Sequence, residues 1–480
     1  MKKKRNLLFI CSDQHSKYDT GCYGNSVVIT PNIDSLARDG TRFEYAYSNN
    51  PICVPARACI ATGMYSHETG CNDNASPYTG KTESFGHALL RHGITMTTIG
   101  KLHYRSVKDN TGFPDQRCPL HVRDGIGDIY GLLRDKESTK PGVGQFPYKA
   151  KVGNATYMEY DEHSTTEAIR YLDEKRGSDS PWALYIGYTF PHFPLMAPED
   201  IWKLYEEKEI PMPTAYKYEE RCEHQSCKDH RHYYGMQKQY EDEVVYNARK
   251  VYYCMCTHMD RQIGIVLDKL REIGEYENTT IIYTSDHGAM AGNHNMWNKN
   301  CMLEAAVSIP MIVAGPEIPR GKVSDTLVSL VDIYPTVLDS LGIEMTSEEK
   351  GRVHGRSLIE IAAENKTIDR DVFSEYHSTG SYTGGFMLRH GEYKYIYYVG
   401  YKPQLFHVTE DPMDQRDLID DPEYAGIAED LNKRLRRIVD PEKIDRMVKR
   451  RQQEIVDANG GRENVRKSFV PVLFSPAPKV

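Results

Sequence analysis

Short apolar runs recur along the chain, and each of them ends on polar side chains. The four clearest runs lie at residues 6–11, 94–99, 182–188 and 279–284. They have the length and the β-branched or aromatic content of buried strands. Segments with helical spacing lie between them, the longest at residues 244–274. Strands that alternate with helices predict an α/β fold, in which a large, mainly parallel sheet is sandwiched by helices.

The pattern changes twice along the chain. Residues 106–157 are rich in Gly, Pro and Asp and show little periodicity, which predicts loops that shape a binding site. Beyond residue 368, short strands with Gly-containing turns precede two helical segments, which predicts a smaller C-terminal antiparallel sheet with helices. We therefore expect a large domain at residues 1–367 and an α+β subdomain at residues 368–480. The Pro-rich tail from Phe469 is expected to run along the surface.

Chemically active side chains follow four of the predicted strands. Ligands bind at the carboxyl ends of strands in a parallel sheet, so groups from separate strands meet at this edge. The groups able to bind a metal or transfer a proton are Asp13, Lys101 with His103, His192, and Asp286 with His287. One such strand end could arise by chance, but four of them predict a functional site.

This edge of the sheet offers ligands for a metal and positive charge for an anion. The side chains able to hold one divalent cation are Asp13, Gln14, Asp286 and His287. Oxygen ligands favour calcium or magnesium, while the imidazole leaves manganese open. The basic and proton-transferring groups are Arg57, Lys101, Lys299, His103 and His192. A cation flanked by basic side chains is suited to stabilising a tetrahedral oxyanion.

Cys53 opens the stretch Cys53-Val54-Pro55-Ala56-Arg57, which runs into an Ala-rich segment with helical character. A thiol at a helix N-terminus lies in positive potential, whereas an isolated cysteine is more often simply buried. The loop of the cysteine phosphatases requires an arginine six residues after the cysteine. In this chain the sixth residue is Cys59 and Arg57 is the fourth, so a plain thiolate nucleophile of that kind is excluded.

Composition narrows the class of protein. The 480 residues are 39% hydrophobic and 27% charged, as in soluble globular proteins, and a net charge of -8 argues against a nucleic-acid surface. No stretch approaches a membrane span, and the first apolar run is too short for a signal peptide. Eleven cysteines, an odd number, favour reduced thiols. We expect a cytoplasmic protein without nucleic-acid or membrane partners.

A second group of metal-type residues lies between residues 205 and 240. Its members are Cys222, His224, Cys227, His230 and His232. The group is a weak candidate for a zinc site, because its Cys-x4-Cys spacing is looser than that of the usual zinc sites. Its role stays open.

The chain resembles the sulfatase family of the alkaline-phosphatase superfamily. The motifs are Cys53-Val54-Pro55-Ala56-Arg57 with Thr62-Gly63, Ser285-Asp286-His287-Gly288, and Gly100-Lys101-x-His103. The resemblance implies an alkaline-phosphatase-like fold with residues 1–367 as the catalytic domain. It also implies that a formylglycine-generating maturation enzyme converts Cys53, which then binds the metal. One hydroxyl of the formylglycine hydrate attacks sulfur in a small sulfated substrate.

The resemblance also implies a role for each of the other side chains. Arg57 and the metal hold the nucleophile, and His192 protonates the leaving alcohol. Lys101 and Lys299 hold the sulfate oxygens, while His103 takes the proton of the second hydroxyl so that sulfate is expelled. Asn74 matches a position that faces substrate in the branch of the choline sulfatases and phosphonate monoester hydrolases.

Several alternatives remain open at this stage. Many sulfatases have paired aspartates where this chain reads Ser12-Asp13-Gln14, so the metal preference is open. The substrate is a sulfated sugar, an aryl sulfate or choline sulfate. A phosphonate monoester or phosphodiester hydrolase on the same scaffold is the first alternative, and an inactive carbohydrate-binding homologue with unmodified Cys53 is the second. The sequence does not decide whether the chain forms homo-oligomers.

Overall fold

The structure is a computed structural model that describes residues 5–468 and 475–478. In chain order the strands are β1 (Asn6–Ser12), β2 (Gly40–Phe43), β3 (Ala46–Tyr47), β4 (Met96–Lys101), β5 (Asp115–Leu120), β6 (Lys151–Val152), β7 (Ala183–Gly187), β8 (Met196–Ala197), β9 (Thr279–Ser285), β10 (Met311–Ala314), β11 (Lys322–Ser324), β12 (Val328–Ser329), β13 (Asp371–Tyr376), β14 (Gly385–His390), β15 (Tyr393–Tyr398) and β16 (Gln404–His407).

The helices follow the same numbering by chain order. They are α1 (Pro31–Asp39), α2 (Cys53–Thr62), α3 (Ser66–Thr69), α4 (Phe85–Arg91), α5 (Thr156–Lys175), α6 (Glu199–Lys203), α7 (Gln225–Tyr234), α8 (Asp242–Glu272), α9 (Glu304–Val307), α10 (Ile333–Ser340), α11 (Ser347–Arg352), α12 (Leu358–Ala363), α13 (Ala425–Ile438), α14 (Pro441–Ala458) and α15 (Gly461–Ser468). Within the described residues, no helix combines the length and the apolar character needed to cross a membrane.

The large sheet has eight strands in the order β11-β2-β10-β9-β1-β7-β4-β5. All neighbours pair in parallel except β10, which runs antiparallel to both β9 and β2. Side chains alternate across β1, so Leu8 packs with the α8 side of the sheet while Leu7 and Phe9 pack with the α10 side. Both faces are therefore covered by helices, and the predicted fold class is confirmed.

The smaller sheet is an antiparallel meander in the order β13-β14-β15-β16. Helices α13 and α14 cover it through Leu435 and Val448, which pack against Phe386 and Leu388. The sequence pattern indicates strands at residues 386–389, 393–398 and 404–408, which correspond to β14, β15 and β16, but it does not indicate β13. The exact boundary at residues 367 and 368 stays a prediction.

A buried ion cluster connects the two parts of the chain. The ammonium of Lys394 on β15 lies 2.9 Å from Oε2 of Glu304 on α9 and 2.6 Å from Oδ2 of Asp414. The side chains of all three are fully buried. Two carboxylates and one ammonium in such a place depend on each other, because a buried charge without a partner is very costly.

Candidate active site

Cys53 is the first residue of α2, at the carboxyl edge of the large sheet. The helix ends at Gly63, whose φ of 67° suits a glycine and whose N–H donates to the carbonyl of Cys59. Every residue of α2 is buried, and Cys53 is only 2% exposed. Its Sγ lies 3.6 Å from Oδ1 of Asp13 and 3.3 Å from Nε2 of His287. The cysteine thus faces the ends of the two central strands.

Strand register brings the acidic groups together. Ser12 of β1 pairs with Ser285 of β9, so the next residues, Asp13 and Asp286, leave the sheet side by side. One ligand atom each from Asp13, Cys53, Asp286 and His287 lies within 4.8 Å of the others. The donor set of two carboxylates, one imidazole and one further side chain fits a single divalent cation.

The protonation states of these groups suit metal binding. Nδ1 of His287 lies 3.1 Å from the carbonyl of Gly288, to which it donates when the ring is neutral. This tautomer leaves Nε2, the nitrogen that faces Cys53, with a free lone pair. Burial lowers the pKa of His287 to about 4, which keeps the ring neutral. Burial alone would raise the pKa of Asp13, but Lys101, His192 and Lys299 hold it well below its usual range.

Gln14 lies beside the metal-type group, and its role as a metal ligand stays a prediction. Its backbone N–H donates to Oδ1 of Asp286 over 3.2 Å, and its Oε1 accepts from the ammonium of Lys299 over 2.7 Å. The amide therefore connects the metal-type group to one of the two predicted anion-binding lysines.

The guanidinium of Arg57 donates its hydrogen bonds to other groups of the protein. Its Nε donates to Oδ2 of Asp286 over 2.9 Å, and one Nη donates to the Lys101 carbonyl and to the Tyr185 hydroxyl over 2.7 and 2.8 Å. The other Nη lies 3.7 Å from Oδ2 of Asp13. Because the guanidinium bonds these buried groups, its position is that of a residue that orients the carboxylates.

A pocket above the cluster brings together the remaining predicted residues. Those that line it are Cys53, Asn74, Lys101, His103, His192 and Lys299. Lys101 also forms an ion pair with Asp13 at the floor. Asn74 accepts a hydrogen bond from the N–H of Val54 over 3.3 Å, which ties it to the start of α2. The strand ends that the sequence indicated thus converge on one cavity.

The two predicted proton-transfer histidines are both buried. Nδ1 of His192 lies 2.9 Å from the carbonyl of Phe193, so the neutral ring presents Nε2 on its other side. Burial and the nearby lysines hold the pKa of both His192 and His103 well below the usual range.

Asp161 on α5 holds the loop that carries His192. Its carboxylate accepts from the N–H groups of Thr189 and Phe190, each over 2.9 Å, and from the hydroxyl of Thr189 over 2.9 Å. Burial raises the pKa of Asp161 to about 7. Sequence reading missed this residue because it lies inside a helix, without any motif around it.

The C-terminal tail also enters the pocket. The hydroxyl of Ser475 lies 2.8 Å from Nε2 of His103, and its carbonyl accepts from the hydroxyl of Tyr157. Residues 475–478 are each partly or fully exposed, in line with the expectation of a tail along the surface, and the bonds of Ser475 to these two buried side chains anchor the tail at the pocket. For residues 469–474 and 479–480 that expectation lies outside the described residues.

The metal-type side chains around Cys222, a weak candidate for a zinc site, do not come together as a set of metal ligands. In the described part of the chain, the only group of three or more metal-type side chains is the one around Cys53. His224 lies within hydrogen-bonding distance of Ser226 and the carbonyl of Lys402, and His230 pairs with Asn298. These two imidazoles are thus engaged in hydrogen bonds with other groups of the protein.

Two features define an enzyme of the alkaline-phosphatase superfamily. One is the sheet order with a single antiparallel strand, and the other is the metal-type cluster at the carboxyl edge beneath a basic pocket. Residues 5–343 match the family model described as sulfatase, and residues 292–440 match the one described as N-sulphoglucosamine sulphohydrolase, C-terminal. The chain therefore belongs to the sulfatase family, whose members are sulfuric ester hydrolases.

Relatives agree with this assignment, and solved structures share the fold. Arylsulfatase K of Bos taurus is 29% identical over 94% of this chain and 84% of its own length, and choline-sulfatase of Rhizobium meliloti (strain 1021) is 28% identical over 87% and 83%. A protein solved with its substrate D-glucosamine-2-N,6-O-disulfate has a TM-score of 0.73 at 24% identity, covering 91% of this chain and 97% of that one. The phosphonate monoester hydrolase of Agrobacterium radiobacter has a TM-score of 0.70 at 21% identity, covering 91% and 95%.

Proposed function

We propose that the protein hydrolyses a small sulfate monoester, using formylglycine formed from Cys53 and one divalent metal ion, for which calcium is the first candidate and magnesium or manganese the others. The position of the Cys53 side chain inside the metal-type group carries this proposal. Burial raises the pKa of the Cys53 thiol to about 11, so the unmodified thiol is not an activated nucleophile at neutral pH.

When present, the formylglycine hydrate supplies one hydroxyl to attack sulfur and a second whose deprotonation releases sulfate, while the metal ion stabilises negative charge on the reacting oxygens. Asp13, Asp286 and His287 are the residues that would hold the metal. Lys101 and Lys299 line the same pocket as Cys53, and their ammonium groups bind sulfate oxygens.

His192 donates the proton that the leaving alcohol needs, and His103 accepts the proton released at position 53. Burial, Lys299 and Lys101 hold the pKa of His192 low, and both lysines line the same pocket as His192. A bound sulfate ester brings negative charge to that place, so it raises the pKa of His192 and favours the protonated ring.

The lining of the pocket favours a sulfated sugar over choline sulfate. Its lining includes Arg123, Asn298 and Asn300, which suit the hydroxyl groups or additional anions of a sugar. The quaternary ammonium of choline is best held by several aromatic faces, whereas this lining also contains basic groups, which repel a cation.

The proposal also includes the cellular compartment in which the protein acts. All eleven cysteines are free thiols, and this supports a reducing, cytoplasmic compartment. A formylglycine-generating maturation enzyme then acts in the same compartment.

Mass spectrometry of the peptide around Cys53, from protein made in its native host, tests the nucleophile. We expect the aldehyde or its hydrate at position 53, and a free thiol alone would overturn this part of the proposal. Cys53→Ala is expected to abolish hydrolysis of an aryl sulfate. Cys59→Ala, a change at a buried cysteine one turn and a half further along α2, serves as the matched control and is expected to stay active.

A comparison of substrates tests the reaction class. At equal enzyme concentration, an aryl sulfate is expected to react faster than an aryl phosphonate monoester or a phosphodiester. The reverse order would favour the phosphonate hydrolase alternative. Glucosamine sulfates and choline sulfate compared in the same way test the preference for a sugar.

A further inference from the structure

Cys222 and Cys227 form a pair of neighbouring thiols far along the chain from the active-site motifs. Their sulfur atoms are 3.5 Å apart. Cys222 lies three residues before α7 and is partly exposed, whereas Cys227, in the first turn of the helix, is 1% exposed. Cys222 is therefore the more exposed member of the pair.

The surroundings of Cys222 stabilise a thiolate. Its sulfur accepts hydrogen bonds from the thiol of Cys227 over 3.5 Å and from Nε2 of Gln404 over 3.6 Å. The guanidinium of Arg231 donates to the backbone carbonyl of Cys222 over 2.8 Å, which places a fixed positive charge close by. The N-terminus of α7 adds to the positive potential.

The pKa values of the cysteines separate Cys222 from the rest. The hydrogen bond from Cys227 lowers the pKa of Cys222 despite its burial, and the backbone N–H of His224 and the amide of Gln404 lower it further. The pKa of each of the other ten cysteines is raised. A low pKa with access to solvent is the mark of a reactive cysteine.

An open pocket leads to this sulfur. It has a volume of about 560 Å³, and its lining includes Cys222, His224, Gln404, Lys402 and Arg221 but not Cys227. Glu220, Glu223, Asp414 and Asp417 also line the pocket, so it presents charges of both signs to a small molecule. Its volume is far larger than a single water needs. A small thiol or disulfide can therefore reach Cys222 while Cys227 stays covered.

We propose that Cys222 and Cys227 form a thiol–disulfide exchange site, in which Cys222 reacts with a small-molecule disulfide and Cys227 resolves the product. The Cys222 thiolate attacks one sulfur of the small disulfide, whose S–S bond breaks, and one small thiolate leaves. Cys227 then attacks Sγ of Cys222, and its proton passes to the second small thiolate as that group leaves. The first small thiolate takes up from solvent the proton that Cys222 released when it formed its thiolate. Two protein thiols are oxidised to one disulfide, and one small disulfide is reduced to two thiols.

The geometry requires only a short movement. A disulfide bond has an S–S distance of about 2.0 Å, against 3.5 Å between the two thiols. This site is separate from the metal-type group, so its test does not depend on the sulfatase proposal.

Glutathione disulfide is the probe for the experiment. Reduced, folded protein is incubated with it and digested without reduction, and mass spectrometry maps the cross-linked cysteines. We expect a disulfide between Cys222 and Cys227. In Cys227→Ser the reaction stops at the mixed disulfide, so glutathione is expected to remain on Cys222, while Cys222→Ser leaves position 227 unmodified.

Cys118 provides the matched control because it is also partly exposed but has a raised pKa. Cys222 is expected to take up glutathione at least about tenfold faster than Cys118, since the thiolate is the reacting form. Equal rates, or no glutathione on Cys222 in Cys227→Ser, would overturn the proposal. The disulfide between Cys222 and Cys227 is tested in the wild-type protein, without any variant. Thermal melting shows whether each variant is folded.

Discussion

Replacement of Arg57 by methionine tests whether this residue holds the metal-binding carboxylates in place. Methionine keeps most of the apolar length of the side chain and removes the charge. It leaves Asp286 and Asp13, both fully buried, without their arginine. The Tyr185 hydroxyl and the carbonyl of Lys101 each lose a donor as well.

The size of the effect follows from the burial of these groups. Removing one partner of a buried ion pair costs about 3–5 kcal/mol, because the other charge stays behind without compensation. An unfolding entropy of about 2.1 cal/mol/K per residue gives about 1 kcal/mol/K for a chain of this length. Arg57→Met is therefore expected to lower the melting temperature by about 3–5 °C.

The assay is calorimetry in the presence of a chelator, so that no metal ion replaces the lost positive charge. Arg261→Met is the matched control, because Arg261 pairs with Asp200 on the surface, where ion pairs contribute about 0–1 kcal/mol. We expect a shift of at most about 1 °C for this control by the same conversion. If Arg57→Met melts as the control does, the carboxylates do not depend on Arg57 and the reasoning is wrong.

Three further predictions concern the connection of the two sheets, a buried histidine and the tail. Lys394→Met removes the cation between two buried carboxylates and should lower the free energy of unfolding by about 3–5 kcal/mol. Lys433→Met, which breaks an exposed ion pair, should change the thermal unfolding little. Equal effects of the two variants would contradict a stabilising role for the buried cluster. Burial lowers the pKa of His67, but Glu375 outweighs burial and raises it. Because the same contact lowers the pKa of Glu375 from 4.5, the stability that this pair contributes is fully present between about pH 4.5 and pH 6.5 and is lost as the pH rises through the raised pKa of His67 in the folded state. The difference between wild type and His67→Gln in urea unfolding should therefore shrink as the pH rises above 6.5; a difference that grows would refute it. Ser475→Ala removes a hydrogen bond to a pocket histidine and should lower kcat/KM for an aryl sulfate about twofold to tenfold, whereas a rise would mean that the tail competes with substrate.

The sequence indicated the centre of the site because its signals are local. Asp13 and Asp286 follow directly on the adjacent parallel strands β1 and β9, which place them side by side, and Lys101 is the last residue of β4 in the same sheet. The family motif from Cys53 to Arg57 added the expectation that Cys53 is converted to formylglycine. The roles within this group still await the experiments above.

Other features could not be read from the chain. Strand β5 (Asp115–Leu120) is polar and contains Pro119, which reads as a loop, yet an edge strand tolerates a proline whose missing N–H faces away from the sheet. Ser475 reaches His103 across 372 residues of sequence, and no local pattern reports such a contact. Nor does the motif show that the Arg57 guanidinium would point at protein groups.

The burial of Cys53 sets a time limit on its chemistry during protein synthesis. Its Sγ is enclosed by His287, which lies 234 residues later in the chain. At 5–20 residues per second the ribosome needs roughly 12–47 s to make that stretch, and the pocket cannot close over Cys53 before then. If Cys53 is converted as proposed, the maturation enzyme would have a window of this length on the growing chain. A host that lets it pass would accumulate a folded protein in which the whole segment around Cys53 is buried in α2.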